Sequence, residues 1–300
     1  MDDRDQYRRQ RRRVFALSFA LSFLAMGFIA VFAVFGLVFP GGDQDRGPQQ
    51  SSGGGQPVYL PSPQDRLTLL AVSEGPAGGV LTFALVGFYP DTGSMPIAVL
   101  PQTLGLPGGT LRRLYQAGGP QAAARALRVG LGVQVDRVAA GPGSALAALL
   151  DRAGGLDFQL PVTLTDPAGG VLLTAGRQQL DGQTAAAVLG CSGWPGGEEQ
   201  RCNVSAALLA AAVNTHLPLA LGSRAEDFFA RAVNGCTSTD LTARDYADHI
   251  EAARFMARLA VRPAQGLEVG GSHGPSGAFA ADSSTLALLR TCFGPQDAAP

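Results

Sequence analysis

Leu149–Val162 reads LLDRAGGLDFQLPV, and the remainder of the chain falls into place around it. Apolar residues at helical spacing from Ser144 to Ala153 predict a helix. Gly154 and Gly155 follow, the residue type best suited to the left-handed backbone that ends helices. Leu156–Leu160 then reads as a short strand closed by Pro161. Further on, Gly176–Gly182 (GRQQLDG) reads as a polar turn that opens another helix.

The same grammar extends outward. Arg66–Val72 and Val80–Tyr89 are apolar runs of strand length bounded by Gly and Pro, so both predict buried strands. Asp91-Thr-Gly-Ser94 is a turn, and Met95–Leu100 a third strand stopped by Pro101. Gly109–Ala117 and Pro120–Gly130 predict helices, and Gln134–Ala139 a strand. Asn203–Leu217, with Asn203 as N-cap, Arg224–Ala232 and Ser283–Cys292 predict further helices. Alternating strands and helices indicate an α/β layer structure.

The amino-terminus reads differently. Six arginines lie within Met1–Arg13, and Val14–Phe39 then runs 26 residues without a charge. At ~1.5 Å per residue, that is long enough to cross a bilayer with some tilt. The arginines predict a cytoplasmic tail (1–13), an uncleaved transmembrane helix (14–39) and an exported remainder. Residues 40–56, rich in Gly, Gln and Ser, read as a flexible tether to a single domain at 57–295.

Composition closes several routes. All 23 basic residues are arginine, which excludes lysine Schiff-base chemistry and a P-loop lysine. A net charge of −1 creates no field that favours nucleic acid. Asp91-Thr-Gly matches the aspartic-protease string but occurs once, and that chemistry needs two carboxylates. Gly270-Gly-Ser-His-Gly274 matches a nucleophile elbow but has no histidine beyond it. Asn203-Val-Ser205 fits a glycosylation pattern. Four cysteines in an exported domain predict two disulfides, with Cys191–Cys202 and Cys236–Cys292 favoured because the first pair brackets one Gly-rich loop. Arg201, read as lying just before a helix, is a candidate anion contact, and Glu198 a candidate ligand for a hard divalent cation.

The order of these parts resembles the LytR-CpsA-Psr family from Thr68 to about Phe293. Leu150–Pro161 resembles its Val-Asp-x-x-Gly-Gly-Val strand, and Gly176–Gly182 its Gly-x-x-x-Leu-Asp-Gly turn. Tyr115–Gly119, Leu131–Asp136, Thr237–Leu241 and Ala281–Ser283 resemble further pieces in the same order. The resemblance implies a mixed central sheet flanked by helices, and transfer of glycopolymers from a polyprenyl-pyrophosphate carrier to the cell wall. It also implies arginines that hold the pyrophosphate, aspartates that bind magnesium, and a groove for the lipid tail.

The charged positions depart from that pattern. Gly79-Val80-Leu81 falls where the family has Arg-Ser-Asp, Gln102-Thr103 where it has Arg-Asp, and Gly190-Cys-Ser192 where it has Arg-x-Arg. Val204-Ser205 replaces an Arg-Gln pair. Only Glu198 and Arg201 keep their charge type. The expectation is a degenerate member at the cell envelope of a Gram-positive-type bacterium. It would bind a polyprenyl-linked glycopolymer or a cell-wall enzyme. One alternative is an active phosphotransferase with an altered site around Arg201; another is an assembly scaffold without a ligand.

Overall fold

The structure, a computed structural model, describes residues 59–75, 81–166, 169–220 and 225–295. The basic tail, the transmembrane segment and the tether expected over residues 1–56 lie outside the described residues. No helix among the described residues is long and apolar enough to cross a membrane.

The chain first lays down three antiparallel strands, β1 (Leu67–Glu74), β2 (Thr82–Phe88) and β3 (Met95–Leu100). The turn between β2 and β3 contains Asp91-Thr-Gly-Ser94, as its turn residues dictate. A small hairpin of β4 (Gly105–Leu106) and β5 (Gly109–Thr110) leads into α1 (Leu111–Leu131). Gly118 and Gly119 break α1 into two helical runs, the two helices that the sequence predicts. β6 (Arg137–Pro142) returns parallel to β1, and α2 (Gly143–Ala153) follows.

The decisive stretch behaves as expected. Gly154 ends α2 at φ 102°, with its N–H bonded to Asp151 and Leu150 carbonyls. Gly155 continues at φ 79°, and β7 (Leu156–Leu160) begins at once. A hairpin of β8 (Leu164–Thr165) and β9 (Val171–Leu173) then leads to β10 (Gly176–Leu180). The GRQQL segment, read as a turn, is therefore a strand, paired antiparallel with β7. Its alternating burial, with Leu180 inward, is masked in sequence by three consecutive polar residues. Asp181 caps α3 (Gly182–Gly190), accepting from the Thr184 N–H at 2.7 Å. Asp151 accepts from the Gly182 N–H at 2.6 Å, so the two glycine-marked segments are tied to each other. A Cβ at Gly182 would overlap the Ala147 carbonyl group, which is why glycine stands there.

The rest comprises α4 (Gly197–Ala220), α5 (Ala225–Gly235), β11 (Ser238–Thr239), α6 (Ala243–Ala257), β12 (Ala264–Leu267), β13 (Gly271–His273), β14 (Phe279–Ala281) and α7 (Ser283–Phe293). The sequence reading assigned nothing to α6, although Thr242 and Asp245 form a capping box at its start.

The main sheet runs β11-β6-β1-β2-β3-β12 and is mixed. Helices cover both faces, which explains why β1 to β3 read as unbroken apolar runs. Leu67, Leu69 and Ala71 of β1 join the core with α2, α3, α4 and α6; Leu70 and Val72 join the core with α1 and α7. Asn203 and Asn214 on α4 each bond both backbone groups of a single residue, Val269 just after β12 and Ala264 at its start, on the strand that ends the sheet. They blunt an edge that would otherwise be open to pairing. Asn203 is thus inside α4, not its N-cap, and its side-chain amide is engaged in the fold.

Candidate functional site

The residues that the sequence singles out meet at one end of the main sheet, where β2 starts and β3 stops. α4 begins at Gly197, whose φ of 68° favours glycine, after a loop anchored by buried Trp194. Glu198 lies in the first turn of α4, where the helix dipole favours a carboxylate. Arg201 lies on the next turn, so the expectation that it precedes the helix is corrected. The Gly-Gly turn ends the loop earlier than the hydrophobic pattern suggested.

Arg201 points inward and is 2% exposed. One terminal nitrogen, Nη1, donates to the Leu189 carbonyl at 3.2 Å and to Thr82 Oγ1 at 3.4 Å. The other lies 3.5 Å from Glu198 Oε1. The guanidinium therefore joins the start of α4, the end of α3 and the first residue of β2. Glu198 also accepts from the Gln102 N–H at 2.6 Å and from the Thr103 hydroxyl. Gln102 in turn accepts from the Leu81 N–H through its side-chain oxygen at 3.2 Å. His273, half-exposed on β13, brings Nε2 within 3.3 Å of Thr103 Oγ1 and 3.9 Å of Glu198 Oε2. On the other face of the same sheet end, Tyr115 bonds Glu74. Burial and then that hydrogen bond push its phenol well above the usual range, so it acts as a neutral donor.

Leu81, Gln102, Thr103, Glu198 and Arg201 are thus gathered as the family pattern implies; Gly79 lies outside the described residues. Gly190 closes α3, and Ser192 is exposed in the following loop. Val204 and Ser205 sit farther along α4, and the buried Ser205 hydroxyl has no hydrogen-bond partner among the described residues. Thr82 and His273 complete the cluster without having been singled out. His273 belongs to the string that matches a nucleophile elbow, and that string contains the strand β13.

Magnesium takes six oxygen ligands and is bound through carboxylates and phosphates. The cluster offers one carboxylate, already committed to an N–H, a hydroxyl and a cation. Among the described residues, no three acidic, histidine or cysteine side chains gather as a metal site. The residues present do not fit magnesium.

Neither a family profile nor a curated protein sequence matches the chain. Solved structures do. B. subtilis TagV matches with a TM-score of 0.60 at 14% identity, covering 75% of this chain and 94% of that one. B. subtilis TagT matches at 0.56 and 17%, covering 80% and 96%. Both are LytR-CpsA-Psr proteins. The domain is LytR-CpsA-Psr-like. A structure described as a putative transcription regulator from Eubacterium siraeum matches at 0.70 and 12%, covering 82% and 98%. At these identities the likeness establishes the fold of the LytR-CpsA-Psr-like domain.

The disulfide expectation is overturned: all four cysteines are free. Cys236 packs with one core and Cys292 with the core on the opposite face of the sheet. The Cys191 thiol turns to the Thr165 carbonyl (3.5 Å) and the Gly193 N–H (3.3 Å), whereas the Cys202 sulfur lies 3.7 Å from Arg201. Closeness along a loop did not bring the two sulfurs together.

At the opposite end of the sheet lies a cavity of about 280 Å³ beside Arg66 and Tyr89. Arg66 grips Asp91 with Nε at 2.8 Å and Nη2 at 2.6 Å, and its guanidinium lies 5.4 Å from the centre of the Tyr89 ring. The sequence marked Asp91 as part of a turn and of a rejected aspartic-protease string, not as the partner of Arg66.

Proposed function

We propose that this protein is a membrane-anchored, exported member of the cell-envelope assembly machinery, whose LytR-CpsA-Psr-like domain does not catalyse phosphoryl transfer. The fold supports the envelope role, and the 26-residue uncharged run supports the anchor. The non-catalytic reading rests on one observation: Arg201, the arginine that keeps the family's charge, is buried and spends its donors on Leu189, Thr82 and Glu198. Transfer of a pyrophosphate-linked group needs pre-placed cations aimed at the developing charge. A guanidinium turned into the core supplies none. The domain then acts by binding a polyprenyl-linked glycopolymer or a cell-wall enzyme.

The test is release of polyprenyl phosphate from a polyprenyl-pyrophosphate glycan by the full chain in lipid nanodiscs, with and without magnesium. The expected result is no release above background. Magnesium-dependent turnover would establish instead an altered transferase around Glu198 and Arg201. For topology, protease added to intact wall-stripped cells is expected to release a soluble fragment beginning within residues 41–56. Protection of the domain would reverse the orientation.

A further inference from the structure

The chain enters the domain at the end of the main sheet where β1 begins. Tyr59 is held there against α6: its ring lies 5.9 Å from that of Phe255, and its hydroxyl donates to Asp65 at 2.6 Å. Only 20 positions separate Tyr59 from Phe39, the last residue of the uncharged run. A Gly-rich tether of that length spans roughly 25 Å on average. On the anchored reading above, on which this inference rests, this end of the sheet is held close to the bilayer.

Charge at this end is not balanced. Asp91 grips Arg66, leaving only Nη1 without a hydrogen bond among the described residues. Asp245 pairs with Arg137, and Glu251 with Arg254 at 2.5 Å. Two cations are left over. Arg258, which ends α6, and Arg262, four positions on, are both exposed, and neither has a carboxylate partner among the described residues. The helix dipole accounts for a cation at Arg258, but Arg262 lies beyond the helix. Val261 beside it is 68% exposed, and Leu60, next to Tyr59, is 78% exposed. The loop that carries Val261 and Arg262 is fixed to the sheet, because the Pro263 carbonyl accepts from the Met95 N–H at 2.8 Å. Isolated apolar side chains do not make the buried apolar centre of a protein interface. Unpaired arginines beside exposed apolar side chains match a surface that is anionic outside and apolar beneath, which is a bilayer with acidic headgroups. Each arginine near such a surface is worth about fivefold in docking, and the tether supplies the local concentration that makes so weak a contact effective.

We propose that the carboxy-terminal end of α6 and the loop through Arg262 dock on the anionic phospholipid headgroups of the bilayer that holds the anchor, and so fix which end of the domain faces the membrane. The chain has one tryptophan, Trp194, buried by the opposite end of the sheet, so an added tryptophan is read above a constant background. The full chain carrying Val261→Trp would be placed in phosphatidylcholine nanodiscs with and without phosphatidylglycerol, with a headgroup-level nitroxide lipid as quencher. Strong quenching is expected with phosphatidylglycerol and several-fold less without it. Arg258→Gln together with Arg262→Gln should lower the docked-to-free ratio on the order of tenfold or more, and high salt should act in the same direction. Leu60→Trp is a second reporter should Val261→Trp disturb the loop. Val171→Trp, on the β8–β9 hairpin whose Thr165 carbonyl meets Cys191, is a comparably exposed site by the opposite end and should stay unquenched. Quenching that ignores both phosphatidylglycerol and the two arginines would overturn the proposal, as would quenching of Val171→Trp in place of the other two. A chain absent from the purified discs would overturn the anchor and this inference together. A chain present in the discs with both reporters unquenched would overturn this inference alone.

Discussion

Both ends of the main sheet carry an arginine–carboxylate pair, and the two pairs do opposite things. At one end Arg201 is 2% exposed and lies 3.5 Å from Glu198. At the other, Arg66 is 19% exposed and meets Asp91 at 2.6 Å. The buried pair is the looser one, and it is surrounded by backbone and hydroxyl partners. Its charge serves to knit α3, α4 and β2. The outer pair has the better geometry and keeps a nitrogen uncommitted at a cavity. A charge that matches the family pattern therefore does not by itself say what a residue does; its bonding partners must be read as well.

The largest expected effect tests the buried end. Removing one partner of a buried ion pair strands the other, and Arg201→Ala should cost about 3–5 kcal/mol in urea unfolding of the full chain. A loss below about 1 kcal/mol would mean that Arg201 is not the internal tie drawn here, and the contrast between the ends would collapse.

Arg66→Ala should cost only about 1 kcal/mol, because a pair still reached by solvent is weakened by water and salt. A cost equal to that of Arg201→Ala would make the two ends alike. Asp91 sharpens the same point through pH. Hydrogen bonds from Arg66 hold its carboxyl below the usual range, against the opposing effect of burial. Its folded value lies below its unfolded value of about 4, so its stabilisation is complete above pH ~4 and is lost as pH falls through the folded value. In unfolding midpoints measured between neutral pH and pH ~3, Asp91→Asn should remove part of the acid sensitivity.

The smallest effect is chemical. Cys202, beside Arg201, is fully buried, and burial pushes its thiol up to about 12. Cys292 lines the cavity and is partly exposed, with its thiol raised by burial. Native alkylation at mildly alkaline pH, without reductant, should label Cys292 well before Cys202, and denaturation should reveal four free thiols. Equal labelling would remove the difference in burial between the ends. Fewer than four thiols would restore a disulfide.

Local signals were strong wherever a residue type is demanded by its own backbone. Gly154 and Gly155 announced the end of α2, the close of the Gly176–Gly182 segment the start of α3, and the apolar runs of β1 to β3 their own burial on both faces. The GRQQL strand was not legible, because its pairing with β7 imposes an alternation that three polar side chains conceal. Nor was it legible that the four cysteines stay unpaired, since spacing between cysteines says nothing about which face of a sheet each one packs on.

The candidate site divides in the same way. From residue types and order alone came the family likeness, the loss of the expected arginines and aspartates, and the choice of Glu198 and Arg201. That these two face each other within the fold, that Thr82 and His273 join them, and that Arg66 and Asp91 meet across 25 positions were decided by the tertiary structure. A side chain's chemistry is written in the chain. Its partners and its access to solvent depend on how distant strands and helices are stacked, and no local pattern encodes that stacking.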